Sequence, residues 1–339
     1  MLQVRIAAPF RCDIERALSY YFHYILFSLY LRDLITISMN KHPLKEWIIA
    51  VRPWSIPASA MPIIVTLAFL FWKEADINWG YGLWALVGMI LFHLAGNVWS
   101  DWFDFKKKVD ADDTFGAKTL TTGMFEPKEI KRLAIILLAA ASICGVGLAL
   151  ATGIELFYIG IAGAVLTVLY PFLKYNALGD IDILLTFAFL PTLGTAFVAT
   201  GAIDWSVLLI ALPVGLITDG ILHSNNTRDM ETDKRADIHT MAMGLGKKAS
   251  AMLYGFEMLF PYIWVAILSI LGYMPVGTVA IFLTLPIAIA CAKTMKNAVI
   301  GGMTLIADLD VRTANLQLQF SALLAASFII TRVIAICFC

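Results

Sequence analysis

The chain has 339 residues, 60% of them apolar and only 15% charged, with a mean hydropathy of +0.80. Soluble domains carry about 25% charged residues, which excludes a water-soluble enzyme. Twenty-five basic against 25 acidic residues leave no net basic surface for nucleic acid. The five cysteines (Cys12, Cys144, Cys291, Cys337 and Cys339) form no CxxC pair and lie mostly in apolar runs, so they read as small buried hydrophobes and not as a metal site or disulfide framework.

In chain order, residues 1–38 come first and fit poorly. Ala17 to Met39 is apolar and aromatic but broken by Arg32 and Asp33. It reads as a tenth helix, as an interfacial helix, or as an extension upstream of a true start at Met39, followed by the basic stretch Asn40, Lys41, His42, Pro43, Leu44 and Lys45. We adopt the last reading and take 39–339 as the membrane domain. A membrane helix needs about 20 mostly apolar residues. Such runs fall near 56–72, 81–100, 132–152, 154–173, 181–201, 206–223, 251–271, 275–294 and 318–338. The fold class is therefore an all-α membrane protein of about nine transmembrane helices.

Basic residues crowd the loops after the even-numbered spans: Lys106 to Lys108, Lys118 and Lys128 after the second, Lys174 after the fourth, Arg228, Lys234 and Arg235 after the sixth, and Lys293, Lys296 and Arg312 after the eighth. The opposite loops carry only Lys73. The positive-inside rule then makes the even-numbered loops cytoplasmic, in a multi-pass protein of the cell membrane.

Two of these loops hold most of the acids. If the second helix continues to about 105, Asn97, Asp101 and Asp104 fall at i, i+4 and i+7 on one face, with Asp110 folding back from the loop. After the sixth helix, Asn225, Asp229 and Asp233 fall at i, i+4 and i+8, again nearly one face. Like charges at this spacing repel, and a divalent cation between them reverses the sign. Oxygen-only ligands without His or Cys favour Mg²⁺, which usually completes its shell with substrate phosphates. Lys118, Lys174, Arg228 and Arg235 are suited to the same phosphates. A single cluster of this kind is often only a solvated face; two with one spacing at one face are not readily explained so. Asn97, inside an apolar run, needs a partner. His93 reads as packed or hydrogen-bonded between helices, and His223 and His239 lack metal-like spacing. Tyr170 and Tyr175 read as interfacial belt residues or as cavity lining.

At these loops the sequence resembles the UbiA-type intramembrane prenyltransferases, and within them the 1,4-dihydroxy-2-naphthoate polyprenyltransferases of menaquinone synthesis. The matching stretches are Ser100, Asp101, Asp104 and Asp110 after the second helix, and Asn225, Asn226, Arg228, Asp229 and Asp233 followed by Thr240 to Gly246 after the sixth. Arg52 to Pro57 and Lys174 to Asp180 match as well. Ser100 stands where that branch usually has Asn, Lys108 where it has Gly, and Asp237-Ile238-His239 where it has Gly-Lys. The resemblance implies a UbiA-like bundle with pseudo-repeated Asp-rich motifs after helices 2 and 6. It also implies that Asp101, Asp104, Asp110, Asp229 and Asp233 hold Mg²⁺ against a polyprenyl diphosphate, with Asp101, Asp104, Asp229 and Asp233 carrying catalysis. Lys118, Lys174, Arg228 and Arg235 would offset phosphate charge, and Asn97, Ser100, Asn225 and Asn226 would bind substrate. The allylic cation released is attacked by a small aromatic acceptor, with dihydroxynaphthoate giving demethylmenaquinone. Alternatives are the same fold with 4-hydroxybenzoate, haem or a glycerol-ether lipid as acceptor. A cation-coupled transporter is the rival from another class and requires acids near mid-bilayer, whereas the acids here gather at helix ends.

Overall fold

The computed structural model describes residues 41–109 and 118–338. Asp110 and the segment 1–38 therefore lie outside the described residues. The chain divides between Ile49 and Ala50 into two units. The described part of the first opens the helix Leu44–Val51, where His42 Nδ1 pairs with the Glu46 carboxylate at 2.8 Å.

In the larger unit, α1 (Ile56–Trp72), α2 (Trp79–Lys106), α3 (Pro127–Thr152), α4 (Ile154–Tyr175), α5 (Gly179–Thr200) and α6 (Leu208–Arg228) are followed by a short α7 (Met230–Arg235). Then come α8 (Met241–Ile270), α9 (Leu285–Gly301, entered through a 3₁₀ segment Val276–Thr284) and α10 (Leu309–Phe338). Among the described residues nine segments are long and apolar enough to cross a membrane, and the β content is one isolated bridge, Asn176 to His239. The expected all-α architecture is thus observed. Membrane interiors offer backbone groups no water, so the helical ladder is the way to satisfy them.

Local chemistry sets the helix ends. The Asn78 side chain accepts from the Tyr81 amide at the start of α2. Pro127 sits inside a reciprocal Glu126–Glu129 capping box at the start of α3. On the face away from the even-numbered loops, Lys73 donates to Asp204 at 2.7 Å and to Ser206 at 2.8 Å. Burial raises the Asp204 carboxyl, but these hydrogen bonds outweigh it and hold its pKa below the usual value.

The dense core lies among α1, α6, α8 and α10, where Phe69, Tyr254, Tyr262, Phe320 and Phe328 are fully buried. By contrast α4 exposes Phe157, Tyr158, Val165, Leu169 and Phe172, the surface expected toward lipid. Lipid tails remove the hydrophobic drive between helices, so close packing of small residues takes over. Gly215 of α6 illustrates it, since a Cβ there would lie 2.5 Å from Ala188 Cβ of α5. Ala188 belongs to a π-helical turn, Leu184–Phe189, just ahead of Pro191, which has no N–H to extend an α ladder.

Two helix ends differ from the simplest sequence reading in opposite ways. The apolar run 81–100 continues as helix to Lys106, so Asn97, Asp101 and Asp104 do share a face. The sixth helix reaches Arg228 but breaks at Asp229 (φ −93°, ψ 8°) before α7 begins. Asn225, Asp229 and Asp233 therefore do not lie on one continuous helix: the break turns Asp233 back toward α4.

Candidate active site

A cavity of about 590 Å³ opens among the ends of α2, α4, α5 and α6, within the size range of small-molecule sites. Asn97, Ser100, Asp101, Asp104, Lys174, Asn225, Asn226, Arg228, Asp229 and Asp233 all line it. The two acidic motifs, more than 120 residues apart in sequence, meet at one polar end.

Lys174 is the centre of that end. Its Nζ lies 3.3 Å from Asp104 Oδ2, and its charge also acts on Asp233. Asp104 is buried and further accepts from the Tyr175 hydroxyl at 2.7 Å and from Ser100 Oγ at 3.4 Å. Asp101 pairs with Arg52, whose left-handed backbone (φ 54°) opens the turn Pro53–Ser55. Arg228 grips Asp229 bidentately, with Nε and a terminal nitrogen each 2.8 Å from a carboxylate oxygen, and lies 3.5 Å from Asp310. Burial pushes the Asp233 carboxyl up to about 6, the Lys174 charge pulling it down and Asp229 pushing it up again. Asn225 Oδ1 and Asp310 Oδ1 are buried without hydrogen-bond partners.

Beside this end is a second polar group. The Asn97 side chain donates to Ser55 Oγ at 3.0 Å, so its intramembrane amide is paired. His93 bonds Ser59 at 2.8 Å and Ser55 at 3.2 Å, and packs edge-on against Phe187 of the π-helical turn at 4.9 Å. His93 is thus the interhelical hydrogen-bonding group expected, and it lines the cavity too. From here an apolar arm runs between α2, α3 and α4, lined by Trp84, Phe92, Leu148, Leu156 and Ile159, with Gly145, Gly160 and Gly163 keeping it open.

Lys118 and Arg235 are not on the cavity wall: Lys118 holds a loop whose Thr122 hydroxyl donates to its carbonyl at 2.6 Å, and Arg235 is exposed at the end of α7. Tyr170 lines the cavity, and Tyr175 bonds Asp104, so neither is only a belt residue. His223 is fully buried between Asp180 (2.8 Å) and the Ser250 carbonyl (3.1 Å), off the cavity wall. Sequence reasoning missed Asp182, Thr186 and Asp310 as cavity residues. Asp182 had a signal, an acid two residues past Asp180 at the mouth of an apolar run. The expectation that acids gather only at helix ends also needs correction, because Asp219 and Glu257 are buried inside α6 and α8. They too lie off the cavity wall.

Among the described residues no three His, Cys, Asp or Glu side chains converge into a cage for a metal ion. What the cavity offers are carboxylates on facing elements, Asp101 and Asp104 opposite Asp229 and Asp233, plus the unpartnered oxygens of Asn225 and Asp310. An all-oxygen, sparse donor set of this kind fits Mg²⁺ whose shell is completed by phosphate, and does not fit zinc.

Residues 60–298 match the model of the UbiA prenyltransferase family. The chain belongs to the UbiA prenyltransferase family. UbiA prenyltransferase domain-containing protein 1 of Mus musculus is 30% identical over 287 residues, 82% of each chain. Among solved structures, the apo UbiA homolog from Aeropyrum pernix K1 superposes with a TM-score of 0.61 at 15% identity, covering 82% of this chain and 97% of that one. The UbiA homolog from Archaeoglobus fulgidus bound to GPP and Mg²⁺ gives 0.54 at 13% identity, over 82% and 99%. These likenesses bear out the UbiA fold and make the chain a prenyltransferase. The mouse relative's name states no acceptor, and the resemblance is shown at the level of the UbiA family, not of its naphthoate branch.

Proposed function

We propose that this UbiA prenyltransferase transfers a polyprenyl group from a polyprenyl diphosphate to a hydroxylated aromatic acceptor in a Mg²⁺-dependent reaction. The acceptor proposed is 1,4-dihydroxy-2-naphthoate and the product demethylmenaquinol, which is recovered as demethylmenaquinone once air has oxidised it. The observation that carries the reading is the union, in one cavity, of a polar end holding four carboxylates with Lys174 and Arg228 and an apolar arm that opens between α2, α3 and α4. That is the shape of a molecule with a diphosphate head and an isoprenoid tail. The Mg²⁺ bound with GPP in the Archaeoglobus fulgidus homolog supports the same cofactor here.

Asp101 and Asp104 on one wall and Asp229 and Asp233 on the other would hold Mg²⁺, with Asp110 of the following loop as a fifth candidate. The ion supplies electrostatic stabilisation of the leaving diphosphate. Lys174 and Arg228, already placed beside these acids, turn to the phosphate oxygens and take up charge as the C1–O bond breaks, usually the largest catalytic contribution. Ser100, Asn225 and Asn226 supply neutral hydrogen bonds at the same end, and Lys118 and Arg235 act from outside the wall on incoming substrate. The apolar arm keeps water from the allylic cation. The ring of the acceptor lies in the notch of Ser55, His93 and Asn97 against Phe187, where it attacks C1. With dihydroxynaphthoate the attacked carbon then loses CO₂; with an unsubstituted ring carbon it loses a proton.

The positive-inside pattern supports placing this polar end on the cytoplasmic face. The test is product analysis by mass spectrometry of membranes carrying the full chain, given Mg²⁺, mixed prenyl diphosphates and competing acceptors: dihydroxynaphthoate, 4-hydroxybenzoate and geranylgeranylglyceryl phosphate. A demethylmenaquinone mass that EDTA abolishes is the expected result. A prenylated glycerol ether in its place rejects the aromatic acceptor while retaining the reaction class.

A further inference from the structure

We infer that Asp182 is the base that accepts the acceptor's hydroxyl proton, a role that rests on the aromatic-acceptor reading above. Asp182 sits at the start of α5, lines the cavity, and is 2% exposed. A carboxylate so buried is expected to be fully bonded, yet its Oδ1 has no hydrogen-bond partner. Three of the other acids on this wall are held by a cation, Asp101 by Arg52, Asp104 by Lys174 together with Tyr175, and Asp229 by Arg228, while Asp310 keeps one unpartnered oxygen as Asp182 does. None of these cations pairs with Asp182 among the ion pairs of the described residues, so it is not built into the phosphate-binding set.

Its position suits the acceptor. Four residues on, Thr186 and then Phe187 face the same cavity, and Phe187 packs against His93, the wall proposed to seat the aromatic ring. Tyr170 stands between the two ends, within electrostatic reach of both Asp104 and Asp182. A ring bound against Phe187 thus has the leaving diphosphate on one side and an unpartnered carboxylate oxygen on the other. The π-helical turn that follows Asp182 displaces this face by one residue relative to a regular helix, a distortion often found where function needs it.

The step balances as follows. The acceptor O–H proton moves to Asp182 while an electron pair of the adjacent ring carbon forms the new bond to C1, and the C1–O pair departs with diphosphate. The intermediate ketone then loses CO₂, or a proton to water, from the attacked carbon. Asp182 returns its proton to the oxygen as the ring regains aromaticity. No oxidant or reductant is needed. Removing a general base typically costs 10²- to 10⁴-fold in rate.

The experiment compares the full-length wild type, Asp182→Asn and Asp182→Glu in nanodiscs. Each is first assayed for Mg²⁺-dependent binding of a non-hydrolysable geranylgeranyl thiodiphosphate, which reports folding and an intact donor end. Turnover is then followed with a series of dihydroxynaphthalenes of graded hydroxyl acidity. Asp182→Asn is expected to bind the donor as wild type does, with kcat down at least a hundredfold and KM for the donor unchanged. The loss should shrink steadily as the acceptor becomes more acidic, and Asp182→Glu should recover part of the rate. A merely structural role predicts one uniform loss across the series. Turnover by Asp182→Asn within threefold of wild type, or a loss independent of acceptor acidity, overturns the inference alone. If Asp182→Asn binds no donor, the Asp182→Glu comparison decides by the same acidity criterion. Wild-type inactivity on every aromatic acceptor, with donor binding intact, overturns the proposed function and this inference with it.

Discussion

Lys174 makes opposite demands on metal and substrate, and its replacement by Met separates them. Its ammonium neutralises Asp104 at 3.3 Å and competes with any cation that would bind there. Two unit charges about 5 Å apart interact by about 3 kcal/mol at an effective dielectric of 20. The two side chains keep 18% and 11% of their exposure and the cavity admits water, so half that value is the better guide. Lys174→Met should therefore bind Mg²⁺ alone about tenfold more tightly, by about 1.5 kcal/mol. The same charge attracts the diphosphate, so donor affinity at saturating Mg²⁺ should fall on the order of tenfold to a hundredfold, and kcat with it. Mn²⁺ titration followed by EPR reads the first effect, and thiodiphosphate binding the second. If Lys174→Met weakens the cation and the donor together, Lys174 is a scaffold for Asp104 and the assignment of its charge to the phosphate is wrong.

Other outcomes follow from the same wall. Asp104→Asn and Asp229→Asn should each abolish turnover, by at least a thousandfold, while the protein still inserts and is recovered from membranes; activity retained in both removes the carboxylates from the reaction. Asp233, buried and raised to about 6 from 3.8, binds its proton more tightly folded than unfolded. The metal-free protein therefore loses stability as pH rises from about 4 to 6 and is level above that. Mg²⁺ must displace that proton below pH 6, so apparent affinity should drop about tenfold per unit there and level off above; Asp233→Asn should flatten that profile in a Mn²⁺ titration between pH 5 and 7.5. Gly215→Val forces bulk into backbone-level contact with Ala188. Overpacking of this kind costs about 1–3 kcal/mol, and a thermal-stability scan in detergent should show a clear drop in midpoint, whereas Gly244→Ala, in open space, should show little.

The sequence exposed most of this because membrane spans and charge asymmetry are written in composition. The nine apolar runs and the same-face placement of Asn97, Asp101 and Asp104 needed only helix length and period. The break at Asp229 did not show, because the spacing of Asn225, Asp229 and Asp233 keeps the helical period; at the break Arg228 grips its own neighbour bidentately and lies 3.5 Å from Asp310, an arrangement that spacing does not reveal. Asp182 and the Ser55–Ser59–His93 group were hidden for a related reason. None of them belongs to a repeated spacing, and only the packing of α1, α2 and α5 shows which face meets the cavity. The loop bases show the reverse failure: Lys118 and Arg235 follow the motifs closely in sequence, yet the backbone carries them off the wall.

The sharing of three bases among the four acids has a mechanistic consequence. Four carboxylates facing a low-dielectric cavity cannot all remain charged without compensation, and Arg52, Lys174 and Arg228 supply it. Filling the cavity with a diphosphate alone would add negative charge beside acids that have just lost those partners. Filling it with Mg²⁺ alone would add positive charge beside cations that have lost theirs. Only the arrival of both lets the bases turn to phosphate while the acids turn to metal, with charge conserved at every contact. Donor and Mg²⁺ should thus bind with strong positive coupling. Because such coupling is reciprocal, the factor by which Mg²⁺ tightens the thiodiphosphate must equal the factor by which the thiodiphosphate tightens Mn²⁺ or Mg²⁺, and a coupling near unity in both titrations would show that the two do not share these residues.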